Sequence, residues 1–559
     1  MTVSDLLVRY LEHLGIDTIF GMPGAHVLPI YDRLHDSRVG SVLVKHEQGA
    51  AFMAGGYARV SHRPSACIAT AGPGATNLIT GIANAYAERL PVLAITGEAP
   101  THMFGKGGLQ ESSGEGGAID QGALFGSITR YQKRIERTDY LGQVLYQATR
   151  ALYGAEPGPV LLTVPYNVQK ETLDDAEAAR ILAHLPKPAT QRLGAAQPVE
   201  DLAEIIRAAR FPVIVAGYGC IRAGARDLVA RLSEDLGIPV ATSLKAKGVV
   251  AEDRPLALGC LGVTSNRQAY RYIVEHADLV IFLGAGLNER TSHLWDHKLL
   301  AGKKVAQVDN DVRQLGKVFK ADVAIHGDLA EVLRELLDRL GGHPGHPGGA
   351  DRLDRLNRHR SAEAGAPFER SGKFVLIEKF FSALAARFPA DAVIFDDNIV
   401  FAQSYFRVSN ANHYFPNSGI SSLGHAIPAA IGARFHLARV CRTAPTFAIL
   451  GDGGFQMCGM EIMTAVNYRI PLNVVLINNG GMGLIRKNQY QLYGERYIDC
   501  EFVNPDFGLL ARSFGIRHHR LTTGADVEAL FGHADLTDAI NLIEILLDRD
   551  AFPSYLSDR

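Results

Sequence analysis

Residues Phe447–Gly483 read FAILGDGGFQMCGMEIMTAVNYRIPLNVVLINNGGMG. An apolar run, Phe447–Leu450, ends in Gly451-Asp452-Gly453-Gly454. A helical stretch follows, and a second apolar run, Val474–Ile477, ends in Asn478-Asn479. Unbroken apolar runs joined through a helix are the pattern of parallel strands buried on both faces. In open α/β sheets, ligands bind beyond the carboxyl ends of such strands. Glycines there let the backbone approach a diphosphate, and the helix behind them aims N–H groups at the anion. Asp452 and Asn479 add hard oxygen ligands of the kind Mg²⁺ takes when it bridges phosphates, and Gly481 can add a main-chain carbonyl. A Gly-Asp-Gly turn alone is common; the weight lies in its combination with an asparagine pair on the next strand end, Asn479 following Asp452 by 27 residues.

Working outward, the same pattern recurs along the chain. Strands are expected at Cys67–Ala71, Val92–Thr96 and Val160–Val164, then at Val213–Ala216, Val240–Ser243, Leu279–Leu283 and Val305–Val308. A third set is Val393–Phe395, Phe447–Leu450, Val474–Ile477 and Leu542–Leu546. The chain therefore reads as α/β three times over, each domain a mainly parallel sheet flanked by helices. Two breaks separate the sets: LPKPATQRLGAAQP around Leu185–Pro198, and the Gly/Pro-rich Gly341–Ala350. The expected domains are residues 1–185, 190–340 and 371–559, with 341–370 as a linker. The histidines of the second break read as part of a solvated loop, because nothing nearby in sequence supplies further metal ligands.

Composition narrows the partners. The 57 basic and 59 acidic side chains nearly cancel, so no basic excess points to nucleic acid. No apolar stretch is long enough to span a bilayer, and the N-terminus, MTVSDLLVRYLEHLG, is an amphipathic helix pattern without the features of a signal peptide. The six cysteines show no metal-ligand spacing and read as buried thiols, consistent with a reducing cytoplasm.

The N-terminal third offers VLVKHEQGAAFMAGGYAR, Val42–Arg59, in which Glu47 is expected to end an apolar strand and precede a small-residue helix, a place where a carboxyl group is partly desolvated. The next segment, Thr70–Gly97, contains GPGATN. Together with FGMPGAH at Phe20–His26, LQE at Leu109–Glu111 and SSLGHAIPAAIGA at Ser421–Ala433, these motifs resemble the thiamine-diphosphate enzymes of the acetolactate synthase and benzaldehyde lyase branch, over essentially the whole chain.

The resemblance implies three α/β domains, named PYR, middle and PP. Thiamine diphosphate lies between the PYR domain of one subunit and the PP domain of another, so the implied assembly is a homodimer or homotetramer with its site at the interface. It implies Gly72, Pro73, Asn77, Leu423, Gly451, Asp452, Gly453, Gly454, Asn479, Gly481 and Met482 as cofactor contacts, with Mg²⁺ on Asp452, Asn479 and Gly481. It implies Glu47 as the carboxylate that hydrogen-bonds the aminopyrimidine, Leu423 as the apolar wedge between the cofactor's rings, and Gln110 facing the reacting centre. His26 matches a benzaldehyde lyase histidine that relays protons. His425 lies near the site by motif position. In the middle domain, Arg290 is the candidate for a carboxylate or FAD contact and Asp309 for a ribose hydroxyl of FAD.

The implied activity is a carboligase: a 2-oxo acid is decarboxylated and the enamine joins a second carbonyl to give an acyloin. The alternatives are an acyloin or diketone lyase or hydrolase, or a simple 2-oxo acid decarboxylase. Substrates are 2-oxo acids, aldehydes or acyloins. Departures from the synthase pattern, namely Leu109 for Phe, Arg130 for Lys, Asn488 for Trp and the Gly-rich insertion Ser112–Ala118, point to a specialised substrate. The insertion itself reads as a mobile lid.

Overall fold

The computed structural model describes residues 1–154, 156–186, 197–265, 267–341, 348–363, 372–408 and 413–553. It contains three six-stranded, wholly parallel sheets. The first comprises β1 (Thr18–Gly21), β2 (Gly40–Leu43), β3 (Ser65–Ala69), β4 (Val92–Glu98), β5 (Tyr131–Arg134) and β6 (Val160–Pro165). The second comprises β7 (Pro212–Ala216), β8 (Val240–Thr242), β9 (Ala257–Cys260), β10 (Leu279–Leu283), β11 (Lys304–Asp309) and β12 (Val323–His326). The third comprises β13 (Val393–Asp396), β14 (Tyr414–Pro416), β15 (Thr446–Gly451), β16 (Leu472–Asn478), β17 (Arg517–Leu521) and β18 (Ile540–Leu546).

The first sheet runs β2-β1-β3-β4-β6-β5 and the third β14-β13-β15-β16-β18-β17, the same order of connection used twice. The middle sheet runs β9-β8-β7-β10-β11-β12. Each order reverses direction at one place, between β1 and β3, between β7 and β10, and between β13 and β15. Flanking loops diverge there and leave a crevice.

All eleven strands read from the sequence are present. Of the remaining seven, β2, β5, β9, β12, β14 and β17 are the sheet edges, and β1 is a four-residue interior strand. Edge strands need only one apolar face, so β5 (YQKR) and β17 (RHHRL) carry no apolar run. Most strand ends differ by a residue or two, and two of the differences bear on the site. Strand β3 ends at Ala69, and β2 ends at Leu43, so Glu47 opens a helix instead of closing a strand.

The first and third sheets share one hydrophobic core, in which Phe20, Met53 and Ala54 pack with Ala429, Ile431 and Leu450. Its centre is the contact between helix Glu47–Ser61 and helix Ala426–Arg439. A methyl group at Gly56 would overlap the Ala429 carbonyl, and one at Gly432 the Met53 carbonyl. At the N-terminal end of helix Glu47–Ser61, Glu461 Oε1 accepts the N–H groups of Lys45 (3.0 Å) and His46 (2.9 Å). Buried Glu88 pairs with Arg59 and, across to the middle domain, with Lys245, each at 2.9 Å.

Within the stretch read as a linker, Gly349–Glu363 is a helix. Leu356 enters the middle-domain core, and Arg352 donates to the carbonyls of Ala209, Arg210 and Leu236. Residues 342–347, with both histidines of the Gly/Pro break, and 187–196 of the first break lie outside the described residues. No helix of the described residues is long and apolar enough to cross a membrane.

The glycine contact gives a direct test. Gly432→Ala should lower stability by roughly 3 kcal/mol, because a backbone carbonyl cannot move aside as a side chain can. Gly532→Ala, on an open part of helix Gly524–His533, should be neutral or gain up to about 1 kcal/mol from helix propensity. Thermal unfolding of the two variants side by side checks the contrast.

Candidate functional site

Beyond the carboxyl ends of β13, β15 and β16 lies a cleft of about 330 Å³. Leu423, Gly451, Asp452, Gly453, Gly454, Asn479, Gly481 and Met482 all line it, so the C-terminal residues singled out in the sequence come together. A methyl group on Gly453 would press on Met482 Sδ at 2.6 Å, and one on Gly454 would stand 3.2 Å from Asp397 Oδ2. The cleft floor is therefore backbone, the surface a diphosphate needs.

Asp452 Oδ2 accepts from Gly480 N at 2.7 Å and Asn504 Nδ2 at 2.8 Å. Its Oδ1 faces the side-chain oxygen of Asn479, which also faces the Gly481 carbonyl. If the amide is turned over, its nitrogen donates to these two atoms at 3.2 and 2.9 Å. In either orientation the Asp452 carboxylate, the Asn479 amide and the Gly481 carbonyl converge, and Gly453 N donates to Asp452 Oδ1 at 3.1 Å. With the amide oxygen turned inward the three form a hard-cation donor set. Burial raises the Asp452 pKa, against the hydrogen bonds from Asn504 and Gly480.

Asp397, at the end of β13, escaped the sequence reading. The sequence signal was an acidic pair, Asp396-Asp397, directly after an apolar run. Asp397 Oδ2 accepts from Gly424 N (2.5 Å) and Oδ1 from Ala426 N (2.9 Å), which fixes the loop carrying Leu423. Burial pushes its pKa up to about 8. Neighbouring His425 is fully buried against the rings of Phe52 and Phe395, and burial pushes its pKa down to about 3. His425 does not line the cleft, and its neutral ring is a packing element. Asn504 was likewise missed, because it lies on an irregular segment far from the motif.

A second cluster lies at the switch point of the first sheet, past β1 and β3. Glu47, 9% exposed, is the first residue of its helix, and its Oε2 accepts from Asn77 Nδ2 at 2.9 Å. Asn77 sits on helix Pro73–Glu88, whose N-cap is Gly72. Gly74 lies against both Thr70 and Glu47 Oε1, where a methyl group would come within 3.4 Å of the carboxylate. Thr70 Oγ1 donates to Gln110 Oε1 at 3.3 Å, and His26 N donates to Thr70 Oγ1 at 3.4 Å. Burial lowers the His26 pKa, and a hydrogen bond with Gln110 opposes this. His26 Nδ1 is buried with no partner among the described residues. Gln110 adopts φ 55°, a left-handed backbone that a non-glycine residue holds only when its surroundings fix it.

The insertion Ser112–Ala118 is anchored at its start. Ser112 N donates to Glu98 Oε1 (2.9 Å), Ser112 Oγ accepts from Gly72 N (2.9 Å), and Ser113 Oγ donates to Glu111 (2.6 Å). Residues 114–117 are exposed, and Gly114 N donates to the Ile119 carbonyl and Ala118 N to that of Glu115, so the insertion forms a closed turn. Arg130 stacks on Tyr86, with 4.5 Å from its guanidinium carbon to the ring centre.

At the switch point of the middle sheet is a cavity of about 250 Å³, lined by Arg290, Asp309, Arg222, Lys245, Tyr218 and Gly284 among others. The structure thus brings Arg290 and Asp309 together. Arg290 also donates to Asn398 Oδ1, on the wall of the C-terminal cleft.

Family models describe the same three units. The N-terminal TPP binding domain of thiamine pyrophosphate enzymes matches residues 1–118, the central domain 199–336, and the C-terminal TPP binding domain 397–545. This chain is a thiamine pyrophosphate enzyme. Similar proteins include a probable acetolactate synthase large subunit of Methanocaldococcus jannaschii, 32% identical over 98% of this chain and 92% of that protein. The acetolactate synthase of Mycobacterium bovis is 33% identical over 99% of this chain and 89% of its own. The large subunit of acetolactate synthase isozyme 2 of Escherichia coli is 30% identical over 98% and 96%. As a thiamine pyrophosphate enzyme, the protein makes or breaks carbon–carbon bonds, and its two TPP-binding domains are those that carry the C-terminal cleft and the Glu47 cluster.

The two buried groups beside the cleft give this enzyme a pH signature. Asp397 holds its proton in the folded protein up to about pH 8 and loses it near 3.8 when unfolded, so its contribution to stability falls as pH rises between these values. His425 acts oppositely, but its effect is complete by its ordinary pKa of 6.5. Between pH 6.5 and 8 the Asp397 effect stands clear of it. The melting temperature of the cofactor-free protein should fall across that window, and Asp397→Asn should flatten the fall.

Proposed function

We propose that this enzyme is a carboligase of the acetolactate synthase type, which decarboxylates a 2-oxo acid and adds the remaining acyl unit to a second carbonyl compound. The near-full-length similarity to acetolactate synthases supports the reaction type. The observation that carries the site is the convergence of Asp452, Asn479 and the Gly481 carbonyl beneath a glycine-floored cleft. Mg²⁺ suits these three oxygens, with the remaining positions filled by the cofactor's phosphates and water. Leu423 and Met482 supply the cleft's apolar wall.

When bound, thiamine diphosphate supplies the nucleophilic carbon and the electron sink. The chain's part is to hold and move protons. Glu47, held at Oε2 by the Asn77 amide, is placed to hold a proton at Oε1. His26, hydrogen-bonded with Gln110, can pass a proton to or from a substrate oxygen that the Gln110 amide orients. His26 Nδ1 has no protein partner among the described residues and so is available for that role.

The middle cavity offers FAD a ribose acceptor in Asp309 and cations in Arg222, Lys245 and Arg290. The cavity of about 250 Å³ is large enough for the ribose-phosphate portion of such a cofactor. No step is assigned to FAD.

The cleft is lined, among the described residues, by positions 397–553 alone, and Glu47, His26 and Gln110 are absent from its wall. Exposed apolar side chains surround both halves: Leu28, Leu109 and Ile119 in the N-terminal domain, and Met460, Ile485 and Tyr493 in the C-terminal one. Exposed apolar surface of this kind marks an interaction face, and a two-fold partner would cover both faces and complete each site with the other subunit's half.

Product formation from pyruvate with thiamine diphosphate and Mg²⁺ tests the reaction. Glu47→Gln should lower kcat by about 10²–10⁴-fold, the usual effect of losing a proton-transfer group. Acetolactate lost in the variant supports the reading for pyruvate. No turnover with pyruvate or larger 2-oxo acids, while acyloins are cleaved, favours the lyase alternative. Mixing inactive Glu47→Gln with inactive Asp452→Ala tests the shared site. Random subunit exchange should restore roughly a quarter of wild-type activity, since half the dimers then hold one intact site. No recovery after demonstrated exchange sinks the shared-site reading.

A further inference from the structure

A group of side chains far from both TPP-binding domains has the makings of a metal site. Glu275 and His276 end helix Gln268–His276 of the middle domain, and His359 lies on helix Gly349–Glu363 packed against it. Glu275 Oε2 stands 3.7 Å from His276 Nε2 and 3.9 Å from His359 Nδ1. All three candidate ligand atoms lie within 4.8 Å of one another. The two imidazoles meet nearly perpendicular, at 88°, so their ring nitrogens turn toward the same carboxylate oxygen without the rings colliding.

We propose that Glu275, His276 and His359 bind a zinc-class divalent cation that clasps helix Gly349–Glu363 to the middle domain. Three observations support this beyond proximity. First, His359 is 6% exposed, and its Nε2 lies 3.3 Å from the Gln268 carbonyl oxygen. A ring N–H given to a carbonyl fixes the tautomer and leaves Nδ1 as a lone pair aimed at the cluster, the usual arrangement behind a metal-bound histidine. Second, the donor set of two imidazoles and one carboxylate is that of three-ligand zinc sites, which complete their shell with water. Glu275 is half exposed, so water has access. Third, the site lies at the carboxyl end of a helix, where the backbone partial charge is negative. The charge of nearby Arg355 repels a cation, and the Glu275 carboxylate offsets it. Tetrahedral bonds of about 2.0–2.1 Å put ligand atoms roughly 3.3–3.4 Å apart, so Glu275 Oε2 must approach each imidazole by a few tenths of an ångström, which rotation of its exposed side chain allows, and the two imidazoles must close by small ring rotations.

The clasp would give the polar helix Gly349–Glu363 a second anchor besides Leu356 and Arg352. The test uses holoenzyme saturated with thiamine diphosphate and Mg²⁺, so that the C-terminal cleft is filled, titrated with Zn²⁺ against a colorimetric chelator. Wild type should take up one Zn²⁺ per chain and melt at a higher temperature with it. Co²⁺ in its place should show the visible bands of a low-coordinate nitrogen/oxygen site. Glu275→Gln and His276→Ala should each weaken binding at least tenfold and abolish the melting shift, with unchanged circular dichroism. Because Glu275 is half exposed, its variant keeps its fold and the result stays readable. Absence of Zn²⁺ uptake by wild type, or equal uptake by wild type and both variants, overturns the proposal.

Discussion

The close approach of helix Glu47–Ser61 to helix Ala426–Arg439 fixes most of what matters in this chain. Backbone meets backbone there because Gly56 and Gly432 carry no side chain. The contact merges the first and third sheets into one core and sets the height at which Glu47 begins its helix. Glu461 then secures that starting point by accepting two main-chain N–H groups. The orientation of the Glu47 carboxylate is thus determined by a contact two to three helical turns away from it. A single methyl group at that contact would displace it.

Burial of acidic groups is the second constraint. Asp452 and Asp397 both line the C-terminal cleft, and burial raises the pKa of both. Their hydrogen bonds differ in purpose. Asp397 is engaged on both oxygens by the backbone of the Leu423 loop and acts as a brace. Asp452 accepts from Gly480 and Asn504 on Oδ2 and from Gly453 on Oδ1, and Oδ1 also faces the Asn479 amide. A buried carboxylate held in this way is stabilised further when a cation sits beside it.

What the sequence disclosed follows from how strongly each element must declare itself. Strands buried on both faces have no choice but to be apolar, and every one read that way is there. Edge strands such as β5 and β17 use polar residues, and their identity depends on a neighbour that sequence does not display. The residues of the glycine and asparagine motifs line one cleft in the fold, and they stood out in the sequence because close backbone approach tolerates few residue types. Asp397, Asn504 and Thr70 were missed because their importance lies in which backbone group they reach across the fold. The helix Gly349–Glu363 was hidden for a related reason: its run of arginines reads as solvated, yet Arg352 is buried because it satisfies three carbonyl groups at once. The same helix carries His359, so a segment read as a connector contributes to the middle domain's packing.

The ion triad of Arg59, Glu88 and Lys245 limits how freely this architecture can be recombined. Burial alone would raise the Glu88 pKa, and the two cations hold it below the ordinary value. One of those cations belongs to a different domain from the carboxylate. A middle domain transplanted from a relative without a lysine at this position would leave a buried carboxylate with half its compensation. A graft must therefore carry Lys245 with it, or replace Glu88 at the same time. The three domains look like separable modules in outline, but they share a charge balance that has to be inherited as a unit.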